Sequence, residues 1–288
     1  MKIATFSVQT EQHIGIVFQD DQIISLTALD PEEFPACMKK FIERGSELRS
    51  RAELLIEQRG HGDVIFKLSE VKILPPIAKP DKIICVGLNY FDHCKETGME
   101  PPQSPVIFTK YANAITGHND AIEIPINSTE VDFEAELAFV IGREAKHVSE
   151  EEAGDYVFGY TIMNDISARD LQFQDGQWSR GKTADTFAPF GPVIVTHDEV
   201  GDPHNLAISL ELNGEIMQDS NTSNLIFTVP KIISFLSQSM TLKPGDLIAT
   251  GTPPGVGMGR NPKIWLKNGD RMNINIERIG TLSNYVKA

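Results

Sequence analysis

Cysteine is scarce in this chain. Only three of its 288 residues are cysteines, Cys37, Cys85 and Cys94, and no two of them have the CxxC spacing of a metal ribbon. Their odd number and wide separation argue against a disulfide framework or a zinc ribbon. We interpret them as small buried side chains of a protein in a reducing compartment.

Positive charge and long apolar runs are also lacking. Lysine and arginine total 26 against 40 aspartates and glutamates, which gives a formal net charge of −14. Nucleic acids and anionic membranes need a basic surface, so neither is expected as the main partner. Apolar runs such as residues 137–141 are far shorter than a membrane span, and the N-terminus has no signal-peptide pattern. We therefore expect a soluble, cytoplasmic protein.

The pattern of the first 74 residues predicts a small α+β domain. Short apolar runs predict strands at residues 2–8, 13–18 and 22–26. The period then becomes helical, with Asp30 as the N-cap of a helix that ends at Arg44. A second helix is predicted from Ser46 to about Gly60.

The proline-rich residues 75–80 are the best domain boundary. We expect a small N-terminal domain at residues 1–74 and a larger domain at residues 75–288. Because strands outnumber helices and do not alternate with them, the pattern favours a β-rich α+β fold over a doubly wound sheet. The predicted strands of the larger domain are residues 82–86, 105–109, 131–141, 157–163, 191–195, 206–212, 246–250 and 272–277.

Two local signals in the larger domain are strong. Asn213-Gly214 between apolar runs predicts a type I′ hairpin. Residues 228–239, with Pro230 in the first turn, predict one long helix.

One motif is misleading. Residues Gly176 to Thr183 match the phosphate-loop pattern GxxxxGK[ST]. That pattern requires an apolar strand before it and a helix after it, because the helix N-terminus holds the phosphates. Here the preceding residues are polar, and Pro189 and Gly191 prevent a long helix. We do not predict nucleotide binding.

A strand with alternating acids is the most informative segment. On a strand from Val131 to Ile141, alternation places Asp132, Glu134 and Glu136 on one face. Taken alone, this is typical of a solvated acidic face. However, the strand continues into residues that are apolar on both faces, which indicates a buried end.

A second apolar strand runs into Asn164-Asp165, so another acid stands where a buried strand ends. Carboxylates gathered there repel one another and lose hydration, and a divalent cation relieves both effects. Oxygen ligands favour Mg²⁺ or Mn²⁺, with Ca²⁺ as an alternative. We predict a metal site made of Glu134, Glu136 and Asp165.

A candidate base lies upstream. Residues 89–96 predict a short helix on which His93 and Glu96, three residues apart, share one face. A carboxylate beside a histidine fixes its tautomer and raises its basicity, as expected of a general base. The alternative is a surface ion pair, which the pair alone would favour. Cys94 is interpreted as a packing residue.

Together these segments resemble the fumarylacetoacetate hydrolase family, and the longer motifs are most similar to its domain-containing protein 2 branch. The segments occur in family order and cover roughly residues 75–288. The motifs are VGLNYFDHCKE (86–96), PVIFTKYANA (105–114), VDFEAELAFVIG (131–142), NDISARDLQ (164–172), GQWSRGKTADTFAPFGPVIV (176–195), LNGEIMQDSNTSNLIF (212–227) and PGDLIATGTPPGVG (244–257).

The resemblance implies a C-terminal catalytic domain with a mixed β-sandwich roll and a homodimeric assembly. It implies Mg²⁺ or Mn²⁺ on the three carboxylates, with His93 and Glu96 as a base dyad on a lid segment. Lys182 matches the family's active-site lysine. The positions that match substrate-lining residues of the family are Lys110, Arg169, Gln172 and Thr252. For Arg169 an ion pair with Asp170 or another neighbour is an equal alternative.

The resemblance also implies a function. The expected activity is hydrolysis of a C–C bond in an acylpyruvate-like 2-oxo acid through a metal-stabilised enolate. Two departures argue against known substrates of the family, because residues 84–90 lack an additional metal-binding aspartate and Leu88 replaces an arginine of the acylpyruvate branch. The alternatives are a keto–enol tautomerase, isomerase or decarboxylase acting on oxaloacetate-like acids, and a non-catalytic binding protein.

Overall fold

The computed structural model of the chain describes residues 1–19, 21–58 and 62–288. Its N-terminal segment is a meander followed by helices, as the apolar periodicity predicts. The strands are β1 (Lys2–Val8), β2 (Glu11–Phe18), β3 (Gln22–Ser25), β4 (Ile65–Lys67) and β5 (Lys72–Leu74). The helices are α1 (Leu26–Leu29), α2 (Met38–Glu43) and α3 (Gly45–Gln58).

The predicted start of the first long helix is wrong. Asp30 does not cap it; the Asp30 carboxylate instead accepts the backbone N–H of Glu33 in a turn, and α2 begins only at Met38. Pro35 explains the delay, because proline lacks an N–H and disfavours helical geometry at the residue before it. The second helix begins at Gly45, next to the predicted Ser46. Its predicted end at Gly60 lies outside the described residues.

The larger segment is rich in strands, which confirms the predicted α+β class. Its strands are β6 (Ile83–Gly87), β7 (Val106–Lys110), β8 (Ile115–Thr116), β9 (Ala121–Glu123), β10 (Val131–Asp132), β11 (Ala135–Ile141), β12 (Val157–Asn164), β13 (Ser167–Ala168), β14 (Ala188–Thr196), β15 (Ala207–Leu212), β16 (Glu215–Asn221), β17 (Leu247–Ala249), β18 (Arg271–Ile276) and β19 (Gly280–Lys287). Its α-helices are α4 (Phe91–Thr97), α5 (Arg169–Gln172), α6 (Ser179–Lys182), α7 (His197–Val200) and α8 (Val229–Ser239).

One large sheet joins the two segments. Among the described residues it has 12 strands, and its main path runs in the order β4-β3-β2-β1-β14-β12-β11-β17-β6-β7. The link is the antiparallel pair of β1 and β14, in which Ile3 lies opposite Ile194. A separate five-stranded sheet has the order β16-β15-β18-β19-β9. The domain boundary at residues 74 and 75 stays a prediction.

The two strong local signals are confirmed. Asn213 and Gly214 both have positive φ, 54° and 88°, as a type I′ turn requires, and they join β15 to β16. The predicted long helix is α8, where the Thr228 side chain caps the N-terminus and Pro230 lies in the first turn.

The predicted acidic strand is interrupted. Residues 133 and 134 separate β10 from β11, because β10 lies outside the large sheet and pairs with β13. The predicted alternation of side chains between the two faces of one strand therefore does not extend back to Asp132. From Ala135 to Ile141 every residue is buried, so the β11 strand passes through the core.

A substitution at Phe139 tests the packing of the core around β11. Phe139 is fully buried at the centre of β11, and Phe139→Ala should lower the free energy of unfolding by about 3–5 kcal/mol because it removes apolar contacts and leaves a cavity. Urea denaturation measures this loss. Ile126→Ala is the control, because Ile126 is fully exposed. If both variants lose less than about 0.5 kcal/mol, the packing described for β11 is wrong.

Candidate active site

Two neighbouring strands bring three acidic side chains together. β11 and β12 are antiparallel with Ala135 opposite Asn164, so the start of β11 lies beside the end of β12. Glu134 and Glu136 flank that start, and Asp165 follows that end. All three side chains are buried, and one carboxylate oxygen from each lies within 4.8 Å of the others. The register of the two strands thus assembles the trio that the sequence predicts.

Two buried lysines face this trio. Lys182 Nζ donates to Glu134 Oε2 at 2.8 Å and to Asp165 Oδ2 at 2.7 Å. Lys110 Nζ lies 2.7 Å from the other oxygen of Asp165. Each lysine is almost inaccessible to solvent, so its charge acts on the carboxylates without screening by water.

Glu136 is in a different electrostatic position. It accepts the backbone N–H of Gly251 at 2.9 Å, and among the described residues no lysine or arginine forms an ion pair with it. Burial raises the pKa of Glu136 well above its usual range, and the charges of Asp165 and Glu134 raise it further. The cluster therefore holds a carboxylate whose negative charge lacks a direct cationic partner.

The other two carboxylates differ in their pKa. Burial works to raise the pKa of Glu134, but Lys182 and Arg169 lower it to about 2. Burial raises the pKa of Asp165, and Lys110 opposes that effect. At neutral pH Glu134 is thus held ionised by its neighbours.

A divalent cation fits this cluster. Its ligands are all oxygens, they are buried and close together, and the raised pKa of Glu136 reflects a lack of positive charge at this carboxyl, which a cation would supply. Hard oxygen ligands suit Mg²⁺ and Mn²⁺. The three residues able to hold such an ion are Glu134, Glu136 and Asp165.

Lys182 belongs to this cluster and not to a phosphate loop. It ends the four-residue helix α6, and a strand, β14, follows at Ala188. Its ammonium is bonded to two carboxylates. The rejection of a nucleotide site on sequence grounds agrees with this geometry.

Lys110 lies behind the trio, away from the cavity. Besides its contact with Asp165, its ammonium donates to the carbonyls of Ile166 at 3.0 Å and Phe187 at 2.7 Å. It does not contribute to the lining of the cavity described below. The structure therefore places Lys110 in direct contact with Asp165, and its predicted contact with a substrate stays a prediction.

The predicted base dyad forms on α4. His93 Nδ1 lies 3.1 Å from Glu96 Oε2. Because a carboxylate only accepts, this bond places the proton on Nδ1 and leaves Nε2 as the basic nitrogen. The other oxygen of Glu96 accepts the backbone N–H of Gly255 at 2.8 Å. His93 is buried and not on the surface, so the alternative of an exposed ion pair does not hold.

One narrow cavity connects these groups. Its volume is about 40 Å³, little more than the share of one water molecule in the liquid. Predicted residues in its wall are His93, Glu134, Glu136, Arg169, Gln172, Lys182 and Thr252. The remaining wall is largely apolar and consists of Val86, Gly87, Leu88, Thr97, Met99, Phe108, Phe173, Trp178 and Met258.

Arg169 forms ion pairs, but its partners do not include Asp170, the adjacent residue that the sequence suggests. Its Nε donates to Asp132 Oδ2 at 2.9 Å, and its Nη2 lies 2.6 Å from Glu134 Oε1. Its Nη1 donates to Gln172 Oε1 at 3.0 Å. Asp170 instead accepts from residues 128 and 129. Arg169 therefore has structural partners and also lines the cavity.

Sequence reasoning missed several parts of the site. Asp132 was grouped with the other acids, and its pairing with Arg169 was not predicted. The glycine-rich residues 255–259 carry no local signal of a role in the site, yet they contact Glu96 and Asp132. Aromatic wall residues such as Trp178 carry no local signal that distinguishes them from core residues.

Comparisons with known proteins identify the family of this chain. A family profile described as "Fumarylacetoacetate (FAA) hydrolase C-terminal" matches residues 82–287. The "Oxaloacetate tautomerase fahd2, mitochondrial" of Xenopus laevis is 46% identical, over 95% of this chain and 85% of its own length. The "Oxaloacetate tautomerase YisK" of Bacillus subtilis (strain 168) is 41% identical, over 99% of this chain and 100% of its own length.

Solved structures share the whole fold. A fumarylacetoacetate hydrolase from Exiguobacterium antarcticum has 38% identity and a TM-score of 0.87, with 100% of this chain and 99% of that chain covered. A maleylpyruvate hydrolase from Sphingobium sp. SYK-6, in complex with manganese(II) ion and pyruvate, has 33% identity and a TM-score of 0.82, with the same coverage.

This chain belongs to the fumarylacetoacetate hydrolase family, and it is an enzyme. The predicted family, its domain-containing protein 2 branch and its fold are confirmed. In the described parts of the chain, no helix has both the length and the apolar character that crossing a membrane requires.

The carboxylate trio makes a prediction about metal affinity. Glu136→Gln should weaken Mn²⁺ binding by about tenfold or more, because it removes one charged ligand. Isothermal titration calorimetry measures this affinity. Glu136 is preferred to Glu134 for the test, because loss of Glu134 would leave Lys182 and Arg169 short of a buried partner.

Asp170→Asn is the matched control, because this carboxylate bonds to Ser128 and Thr129 outside the cluster. It should bind Mn²⁺ like the unmodified protein. Equal affinity of the Glu136→Gln variant and the control would show that the metal site is assigned to the wrong residues.

Proposed function

We propose that this chain is a divalent-metal-dependent keto–enol tautomerase of oxaloacetate or a similar small 2-oxo acid. The observation that carries the proposal is a single His–Glu base facing a carboxylate cluster across one narrow cavity. The names of the relatives from Xenopus laevis and Bacillus subtilis support the same activity. Sequence reasoning placed C–C hydrolysis first; these relatives favour the tautomerase alternative.

In this proposal Glu134, Glu136 and Asp165 hold Mg²⁺ or Mn²⁺. When bound, the cation supplies positive charge that stabilises negative charge on the oxygen of an enolate. The manganese and pyruvate in the related maleylpyruvate hydrolase support a metal and a 2-oxo acid in this fold. Lys110 holds Asp165 in place from behind.

His93 moves the proton. With Nδ1 bonded to Glu96, its Nε2 is free to take a proton from the carbon next to the 2-oxo group. Return of a proton to the oxygen gives the enol, and the reverse sequence gives the keto form. The number of protons is unchanged, so one base is sufficient for tautomerisation.

Other residues bind the acid and limit access of water. Arg169 and Gln172 line the cavity and carry donors for a carboxylate. Lys182 contributes positive charge beside the carboxylate cluster. The apolar wall around Phe108 and Trp178 restricts water near the reacting carbon.

Three further properties are part of the proposal. The chain forms a homodimer, as its family resemblance implies, and it acts in the cytoplasm. Its substrate is a small 2-oxo acid. The cavity is narrow, with a volume of about 40 Å³, so a small acid would displace less of its wall than a large one.

A comparison of substrates tests the activity. The protein with Mg²⁺ or Mn²⁺ should accelerate conversion of enol-oxaloacetate to the keto form, measured by the decay of enol absorbance. Cleavage of acetylpyruvate and loss of CO₂ from oxaloacetate should be slower by about tenfold or more, because neither uses only proton transfer.

The control for this assay is the same metal without protein, since free cations also promote ketonisation. Faster cleavage of acetylpyruvate than ketonisation would establish hydrolysis as the activity. If none of the three reactions is accelerated, the proposed function is wrong.

The dyad gives a second prediction. His93→Asn should lower kcat by about 10²–10⁴-fold, the usual contribution of a general base. The affinity for oxalate, a small anion that resembles the enolate, should change little, because His93 moves a proton and does not hold the carboxylate. Stopped-flow kinetics and calorimetry in the presence of Mn²⁺ measure the two quantities.

Lys95→Gln is the control on the same helix, because Lys95 is exposed and lies between the two dyad residues. It should retain both activity and oxalate affinity. Full activity of the His93→Asn variant would exclude His93 as the base, whereas a parallel loss of oxalate affinity would indicate a binding role.

A further inference from the structure

We propose that Asp132 is a positioning residue that fixes two parts of the active site at the same time. One part is Arg169, which lines the cavity, and the other is the loop of residues 255–259, which orients the base dyad. The proposal rests on the proposed function, because it assigns these parts to substrate binding and proton transfer. Asp132 itself does not line the cavity.

The first contact of Asp132 is with Arg169. Its Oδ2 accepts from Arg169 Nε at 2.9 Å and lies 2.8 Å from Nη2. Both residues are almost fully buried, with exposed side-chain fractions of 0% and 4%. Contact with two nitrogens on one edge of a planar guanidinium fixes its orientation. Arg169 is therefore held with Nη1 toward Gln172, which also lines the cavity.

The second contact of Asp132 is with the glycine-rich loop. The backbone N–H of Gly257 donates to Oδ1 at 2.7 Å, and that of Met258 donates to Oδ2 at 3.1 Å. The approach is so close that a Cβ at Gly257 would lie 2.6 Å from Oδ1 and would collide with the carbonyl of Ile264. Only glycine allows the loop to reach this carboxylate.

The same loop holds the dyad. The backbone N–H of Gly255 donates to Glu96 Oε1 at 2.8 Å, while the other oxygen of Glu96 bonds to His93. A Cβ at Gly259 would lie 2.7 Å from the Glu96 carboxyl carbon, so the loop also packs directly against this side chain. Met258, between these contacts, lines the cavity.

These contacts form one continuous path from the arginine to the histidine. Asp132 links its two halves, since its carboxylate accepts hydrogen bonds from both the guanidinium and the loop. Without that charge Arg169 would retain Glu134 as its acidic partner, and two loop N–H groups would face an altered acceptor. Substrate affinity and proton transfer should therefore both suffer.

The experiment begins with Asp132→Asn. We expect KM to rise and kcat to fall, each by about tenfold or more, because small displacements of binding and catalytic groups have effects of this size. Asp170→Asn is the matched control, since Asp170 follows Arg169 in sequence but bonds only outside the site. It should retain both constants. Unchanged KM and kcat in the Asp132→Asn variant would overturn the proposal.

Asp132→Asn is next introduced into two other variants, which distinguishes a positioning role from a general effect on stability. In an Arg169→Gln protein, Asp132→Asn should lower kcat but raise KM no further. In a Glu96→Gln protein, Asp132→Asn should raise KM but lower kcat no further. A residue that only stabilises the fold would cause the same fold-changes in every background, and this result would overturn the proposal.

Folding is a separate question, because Asp132→Asn leaves a buried arginine short of charge. The Asp132→Asn/Arg169→Gln protein removes both charges and is the second variant. If only this protein folds, its kcat is compared with that of Arg169→Gln alone. A lower kcat supports the role of Asp132 in holding the loop, and an equal kcat contradicts it.

Oxalate affinity with Mn²⁺ separates failure of this inference from failure of the proposed function. If the unmodified protein shows no tautomerase activity, the proposed function fails, but Asp132→Asn should still weaken oxalate binding by about tenfold. The same substitution should have no effect on oxalate affinity in the Arg169→Gln background. Unchanged oxalate affinity in the single variant would contradict the part of the inference that concerns Arg169.

Discussion

The balance of charge in a buried cluster of carboxylates governs the structure around it. Glu134, Glu136 and Asp165 lie together in the core, where water cannot stabilise them. Lys182 bridges Glu134 and Asp165, and Lys110 supports Asp165 from behind. Within the described part of the chain Glu136 has no such partner, and its raised pKa reflects a lack of positive charge that a divalent cation would supply. Removal of Glu134 would leave Lys182 and Arg169 short of a buried acidic partner.

Two segments that are distant from the cluster in sequence bring further polar groups to the cavity. The helix α4 brings His93 and Glu96 to the cavity, and residues 255–259 hold Glu96 through a backbone N–H. The same loop bonds to Asp132, which also accepts a hydrogen bond from Arg169. The cavity therefore brings together His93, a pair of clustered glutamates and Arg169, which belong to three parts of the chain. Their mutual hydrogen bonds explain how a narrow space is kept in one geometry.

Part of the fold was predictable because it depends on local signals. The strands, the hairpin at Asn213-Gly214 and the helix after Thr228 follow from apolar periodicity, turn chemistry and capping. The capping signal at Asp30 predicts the wrong start for the helix, because Pro35 disfavours helical geometry and α2 begins only at Met38. The break in the strand after Asp132 was also missed, since pairing of β10 with β13 depends on residues far along the chain.

For the site, the sequence alone determined which residue types are present and where acids follow buried strands. That was enough to select Glu134, Glu136, Asp165 and the His93–Glu96 pair. Only the tertiary structure decided which charges meet. It placed Lys110 behind the cluster and paired Arg169 with Asp132 instead of its neighbour Asp170. The physical reason is that ion pairing depends on distance in space, and strand register and loop packing set that distance.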